Sequence, residues 1–185
     1  NLVDTDCAVI TPIGLDHQDF LGPDLNSIAA EKAGVIRPET PVVCTEENPP
    51  LPILQQSEKL KAPVYLRGVD YALTGHHGHD DGLLQFSLGS QSMLVPEPPM
   101  AGVHQRDNLA AALAAFALLN PGCFLVANEI SDAIRSSRIP GRLQNVNCSP
   151  EIILDVGHND MAAEVVADFL EHSGKTKTTA EGTTS

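Results

Sequence analysis

The sequence predicts an α/β fold in which strand–helix crossovers build a mainly parallel sheet, a β-meander lies on the edge of that sheet, and a new strand–helix unit begins near the C-terminal end. Three observations carry this. Apolar, β-branched runs at 7–13 (CAVITPI), 41–45 (PVVCT) and 62–68 (APVYLRG) alternate with helical patterns. Short runs broken by Gly and Asp fill 69–98, the signature of a meander. After Ile139-Pro140-Gly141-Arg142, the run EIILDVG (151–157) reads as a fresh strand ending in a polar turn, His158-Asn159-Asp160, before another helix.

Each element has a local reason. The run 7–13 reads as a buried strand. Asp24 is placed as the N-cap of a helix with Ile28, Ala29, Lys32 and Ala33 at helical spacing, and Gly34 as its C-cap. Pro49-Pro50 opens a second helix over 51–61, with Leu51, Leu54 and Leu60 expected on one side. HQRDNLAAALAAFALL (104–119) is a strong Ala/Leu helix, its apolar stripe from 109 expected in the core and Asn120-Pro121-Gly122 its stop. NEISDAIRSS (128–137) and MAAEVVADFLEH (161–172) are further amphipathic helices. The expected organisation is therefore a first domain over 1–138, a linker over 139–150, the start of a second domain over 151–172, and a low-complexity Thr-rich tail over 173–185.

Composition narrows the function. With 185 residues there is room for one domain and a piece of another. A formal net charge of −13 argues against binding nucleic acid or anionic membrane, because both need clustered Lys and Arg. No apolar run approaches the roughly 18–20 residues of a membrane helix. Four widely spaced cysteines (Cys7, Cys44, Cys123, Cys148) with no CxxC pair read as reduced, mostly buried thiols, and the expected location is cytoplasmic. The His76–Asp81 run is read as an exposed hairpin tip rather than a metal site, since Gly-Asp-Asp-Gly is turn chemistry.

Four short pieces carry chemical information: GLDHQDFLG followed by EKAG, which contribute His17 and Lys32; HQRDN, with Asn108; PGR, with Arg142; and LDVGHN, with Asp155, His158 and Asn159. Taken singly each has an ordinary explanation: a loop histidine, a solvated helix lysine, a helix-start amide, a surface arginine. Their order and spacing together are specific. The chain resembles the folylpolyglutamate synthase/dihydrofolate synthase family, a branch of the Mur ligase superfamily. The family's T-x-I-x-x-D-H-x-x-x-L-G stretch falls on Thr11 to Gly22, and its EKAGI stretch on Glu31 to Val35.

The resemblance implies the latter part of a Mur-ligase-type central ATPase domain, then the first βα unit of a Rossmann-like C-terminal domain. It implies ATP-dependent ligation of L-glutamate to dihydropteroate or tetrahydrofolate through an acyl phosphate, with Mg²⁺ as cofactor, by a monomer when complete. By the same resemblance His17 is a magnesium ligand. Lys32 is a carbamylated lysine, which turns a repulsive ammonium into an anionic oxygen ligand. Asn108 bonds adenine, Arg142 touches phosphate, Asp155 holds the nucleotide, and His158 sits beside the phosphates or the reacting carboxylate. The family's phosphate loop is expected upstream of Asn1 and most of its glutamate domain beyond His172, so the chain alone is expected to be inactive. The alternatives are an inactive fragment and a Mur ligase of peptidoglycan synthesis. Two departures stand out: Asp160 in place of the family's Pro, and Gly157 in place of Ala, the latter expected to be sterically mild.

Overall fold

A computed structural model describes residues 3–14, 24–75, 82–102 and 104–172. By contacts the chain divides into two compact units, one of Asn1–Pro99 with Val103–Ser137, the other of Met100–Gly102 with Arg138–Ser185.

In the first unit, β1 (Ala8–Ile10), β2 (Val42–Cys44) and β3 (Val64–Leu66) form a parallel sheet in that order, joined by the crossover helices α1 (Leu25–Ala33) and α2 (Leu51–Lys59). Val42, Val43 and Cys44 are all buried, as a central strand covered on both faces must be. The strand's period of two divides its side chains. Val42 and Cys44 join a core with Ile28, Ala29 and Ala33 of α1 and Ile53 of α2, while Val43 joins a second core on the opposite face. That second core holds Tyr71, Phe86 and Val95 from the antiparallel strands β4 (Tyr71–Gly75), β5 (Leu83–Leu88) and β6 (Gln91–Pro96). It also holds Ala110, Ala111, Leu113, Ala114 and Ala117 of α3 (His104–Leu119), and Ile130 and Ile134 of α4 (Ala127–Ser136). The small side chains of α3 let its backbone lie close to the strands beside it.

Several sequence expectations need correction. The meander is not an edge of the parallel sheet: β4, β5 and β6 form a separate sheet, with an isolated bridge between Arg67, just after β3, and Tyr71. In α2 the buried positions are Ile53 and Ser57, whereas Leu51 and Leu54 are exposed, because it is the face carrying Ile53 that packs with α1 on the sheet. Strand β1 is shorter than 7–13 and its Val9 is 43% exposed. In α3 the stripe is core or half-buried except Ala112, Phe116 and Leu119, which are exposed. Gly34 closes α1 in the right-handed region (φ −62) rather than the left-handed one; the Arg37 guanidinium donates to the Gly34, Val35 and Ile36 carbonyls at 3.0–3.3 Å. At the other end Asp24 caps as expected: its carboxylate accepts from Ser27 N at 2.9 Å, and that bond holds the carboxyl below its usual range.

In the second unit, β7 (Gln144–Cys148) pairs antiparallel with β8 (Glu151–Leu154), and α5 (Asp160–His172) follows. The expected linker over 139–150 therefore contains a strand, and the unit is ββα rather than βα. Val146 sits in a bulge between the Asn145 and Asn147 pairings, and a cis Ser149–Pro150 peptide lies at the hairpin tip. Strand β8 also stops at Leu154, three residues before the expected end. The metal-like His76–Asp81 run, His17 and the 173–185 tail lie outside the described residues.

The two faces of α2 give a direct test. Ile53→Ala should lower unfolding free energy by about 2–5 kcal/mol, as buried truncations do, and Leu51→Ala by less than about 0.5 kcal/mol. Urea unfolding of both variants measures this; equal effects would contradict the observed face.

Candidate functional site

In the second unit the candidate residues meet at the exit of β8. Asp155 is the organising side chain. Its Oδ2 accepts from Leu143 N at 2.9 Å and its Oδ1 from Gly157 N at 2.7 Å. One carboxylate thus ties the PGR turn to the loop that leads into α5. The turn itself is closed by Val156 N donating to Gly141 O at 2.8 Å and by Gly141 N donating to Gln144 Oε1 at 2.9 Å. Gly141 has φ +73, and a Cβ there would lie 2.6 Å from Val156 Cγ1, so both conformation and space require glycine. Leu143, at φ 44, is held in the left-handed region by its bond to Asp155 and by burial of its side chain. Between them, Arg142 is exposed.

Beyond Asp155 the chain enters α5 through Asn159, whose Oδ1 accepts from Ala162 N at 2.9 Å in the manner of an N-cap. His158 is exposed, and its Nδ1 donates to Val156 O at 3.2 Å. Asp155, Gly157, His158, Asn159, Ala162 and Val166 line an open groove of about 490 Å³. Gly157 is not a mild departure. A Cβ there would meet Ala162 Cβ at 2.5 Å and Asp155 Oδ1 at 2.8 Å, so the close approach of α5 to this loop depends on glycine.

In the first unit Glu46, Arg67 and the start of α3 gather at the C-terminal ends of the parallel strands, where open α/β sheets bind ligands, whereas the last turn of α1, which carries Lys32, leads back towards the start of β1. The segment after β1, which leads towards His17, is pinned by Glu46: its Oε1 accepts from Ile13 N at 2.7 Å. Thr45, 2% exposed, donates its hydroxyl to Ile10 O. Arg67 donates from Nε to Thr45 O at 2.7 Å, and its guanidinium lies 3.3 Å from Asp107 and 3.7 Å from Glu47. Tyr71 donates its hydroxyl to Cys44 O at 2.9 Å; burial pushes that phenol well above its ordinary range. Asn108 is exposed on α3 and donates from Nδ2 to the buried Gln105 at 3.4 Å. Lys32 is exposed in the last turn of α1. Burial also raises the thiols of Cys7, Cys44 and Cys123, which suits packing rather than nucleophilic use.

The structure thus brings Asp155, His158 and the Arg142 turn into one small assembly. Lys32 and Asn108 stand on separate helices of the first unit, with no hydrogen bond or ion pair joining them among the described residues. His17 lies outside those residues. Sequence reasoning missed Glu46, Arg67, Gln105 and Leu143. Arg67 and Glu46 had a legible signal, a charged residue one or two positions after a parallel strand. Leu143 had none, because nothing in its side chain announces a backbone amide.

Comparison with known proteins follows the same lines. A scan against protein-family models finds no match. The dihydrofolate synthase/folylpolyglutamate synthase of Escherichia coli (strain K12) is 40% identical over 180 residues, covering 92% of this chain and 38% of its own length. The protein of that name from Haemophilus influenzae is 32% identical over 187 residues, with 92% and 40% covered. The solved E. coli FolC in complex with DHPP and ADP superposes with a TM-score of 0.75 at 34% identity, over 96% of this chain and 40% of that one. The Yersinia pestis bifunctional enzyme complexed with AMPPNP and Mn gives 0.71 at 32%, over 92% and 39%. The chain spans about two fifths of the length of the relatives it matches.

The fold is therefore that of part of a Mur-ligase-like α/β protein. Over the part it spans, the chain is similar in sequence and fold to dihydrofolate synthase/folylpolyglutamate synthases.

The Asp155 clamp makes a stability prediction. Asp155→Ala strands two backbone donors and should cost about 1–3 kcal/mol, and Gly157→Ala, which forces α5 off the loop, should cost a similar amount by overpacking. Hydrogen exchange of the β7–β8 and α5 amides locates the loss. Parent-like protection in both variants would show that the clamp does not hold this unit together.

Proposed function

We propose that the protein carrying this chain joins L-glutamate to dihydropteroate or tetrahydrofolate at the expense of ATP. The observation that supports this most is the Asp155 assembly. A family motif that is unremarkable as sequence, LDVGHN, folds with PGR into one polar turn above an open groove at the start of a helix. Support also comes from relatives: solved FolC structures hold ADP with DHPP, and AMPPNP with Mn. The enzyme is expected to be monomeric and cytoplasmic; no helix among the described residues is long and apolar enough to cross a membrane.

In this reading a pteroate or folate carboxylate oxygen attacks the γ-phosphorus of ATP, the bond to the ADP oxygen breaks, and an acyl phosphate forms. The glutamate amine then attacks the acyl carbon, the carbon–oxygen bond to phosphate breaks, and the amine proton is lost. Arg142, exposed and carried on a turn whose backbone is fixed at Gly141 and Leu143, supplies a preorganised cation for phosphate. His158, with Nδ1 bonded to Val156 O, lines the groove beside Asp155 and is the proposed group next to the phosphates or the reacting carboxylate. Asn108 meets the adenine with its amide. Asp155 keeps lone pairs beyond its two backbone bonds, which suits a ribose hydroxyl.

The metal proposed here is Mg²⁺, held by His17 and a carbamylated Lys32. The exposed amine of Lys32 is open to carbon dioxide, and the resulting carbamate supplies the hard oxygen that Mg²⁺ prefers. Among the described residues no group of three His, Cys, Asp or Glu could hold a metal ion. When bound, Mg²⁺ neutralises charge on the phosphates.

Glutamate incorporation and phosphate release, assayed with dihydropteroate in the full-length gene product, test the reading. ATP-dependent ligation is expected, and its absence would overturn the proposal. Lys32→Ala should reduce kcat by about 10²-fold or more with a smaller change in KM for ATP, because the lost charge acts mainly in the transition state. Arg142→Ala should raise phosphate release relative to glutamate incorporation; an unchanged ratio would remove Arg142 from the site.

A further inference from the structure

Arg67 belongs to none of the motifs that led to the function, yet it joins three parts of the first unit. The turn that carries it is tightly built. Gly68 at φ +79 lets Gly68 N donate to Tyr71 O at 2.8 Å, and Asp70 Oδ2 accepts from Leu66 N at 2.8 Å. From this base the guanidinium reaches Thr45 O at the end of the central strand, Glu47 in the following loop, and Asp107 in the first turn of α3. Thr45 is itself buried and tied to Ile10, so the contact is to a carbonyl fixed at the end of the central strand. Asp107 directly precedes Asn108. A guanidinium forks between a carbonyl and a carboxylate in fixed geometry, which an ammonium cannot do.

We propose that Arg67 is a positioning residue for base recognition. It ties the first turn of α3 to the end of β2, and so sets where the Asn108 amide meets the purine. The inference rests on the reading above that Asn108 bonds adenine. An exposed amide held by one 3.4 Å bond to Gln105 has little of its own to fix it. Its placement therefore depends on where the helix turn stands. The consequence is specific: losing Arg67 should blunt discrimination at the 6-position of the purine, where adenine carries an amino donor and hypoxanthine an oxo acceptor.

The test is calorimetric binding of ADP and IDP to the full-length gene product and its variants. The parent should prefer ADP. Arg67→Met should lower that preference about tenfold, the equivalent of one hydrogen bond, while IDP affinity stays near the parent value. Arg67→Lys should restore part of it. Asp107→Asn breaks only the helix side of the bridge and keeps the test decisive if Arg67→Met folds poorly; it should reproduce the loss. Asn108→Ala is the control. If Asn108→Ala abolishes the preference while Arg67→Met and Asp107→Asn keep it, the role of Arg67 is overturned and the adenine reading stands. If Asn108→Ala leaves the preference unchanged, or the parent shows none, both fall.

Discussion

The first unit depends on one strand. Val42–Cys44 is three residues long, buried throughout, and faces two cores at once. Because side chains alternate, Val43 serves the core under α3 and the antiparallel sheet, while Val42 and Cys44 serve the core under α1 and α2. Its carbonyl end is equally committed. Cys44 O accepts from Tyr71 and from Arg67 N, and Thr45 O accepts from the Arg67 side chain. A shift of one residue in β2 would exchange the two cores and strand these acceptors together, so register, layer order and the position of the strand-end loops are fixed by the same few atoms.

The second unit shows the same economy on a smaller scale. It has little apolar burial: Ile152, Leu154 and Val156 are exposed to about half. What orders it is polar. Asp155 accepts two backbone amides from either side of its strand, Asn159 caps α5, and glycine at 141 and 157 admits approaches that any side chain would block. The residues proposed to bind nucleotide are thus the ones that hold the turn together, and Asp155 in particular has both duties. Such overlap means that a loss of binding on its mutation has to be separated from a loss of structure.

Much of this was legible in the sequence, for stated reasons. Strands at 41–45 and 62–68 show β-branched runs between turn signals, and α3 shows sixteen residues of strong helix formers. The Asp24 cap and the Pro50 start are local chemistry, visible in a few residues. What could not be read depends on tertiary contact. The buried face of α2 is set by where its start lies on the sheet, so Ile53 rather than Leu51 is inside. Strand β7, with the sequence QNVNC, is mostly polar and pairs because β8 lies beside it. In the candidate site, motif residues Asn108, Arg142, Asp155 and His158 could be picked out by type and order. Their supports could not, since Leu143 contributes a backbone amide and Gly157 a missing Cβ.

The proposal turns on the loop after β8, where Asp155 gathers the PGR turn and the start of α5 around an open groove. The most direct measurement is a crystal structure of the full-length gene product with a non-hydrolysable ATP analogue and Mg²⁺. The account predicts phosphate oxygens beside Arg142 and a ribose hydroxyl on Asp155, with the Leu143 and Gly157 bonds to that carboxylate intact. A nucleotide bound away from these residues, or one that breaks the Asp155 bonds, would contradict it.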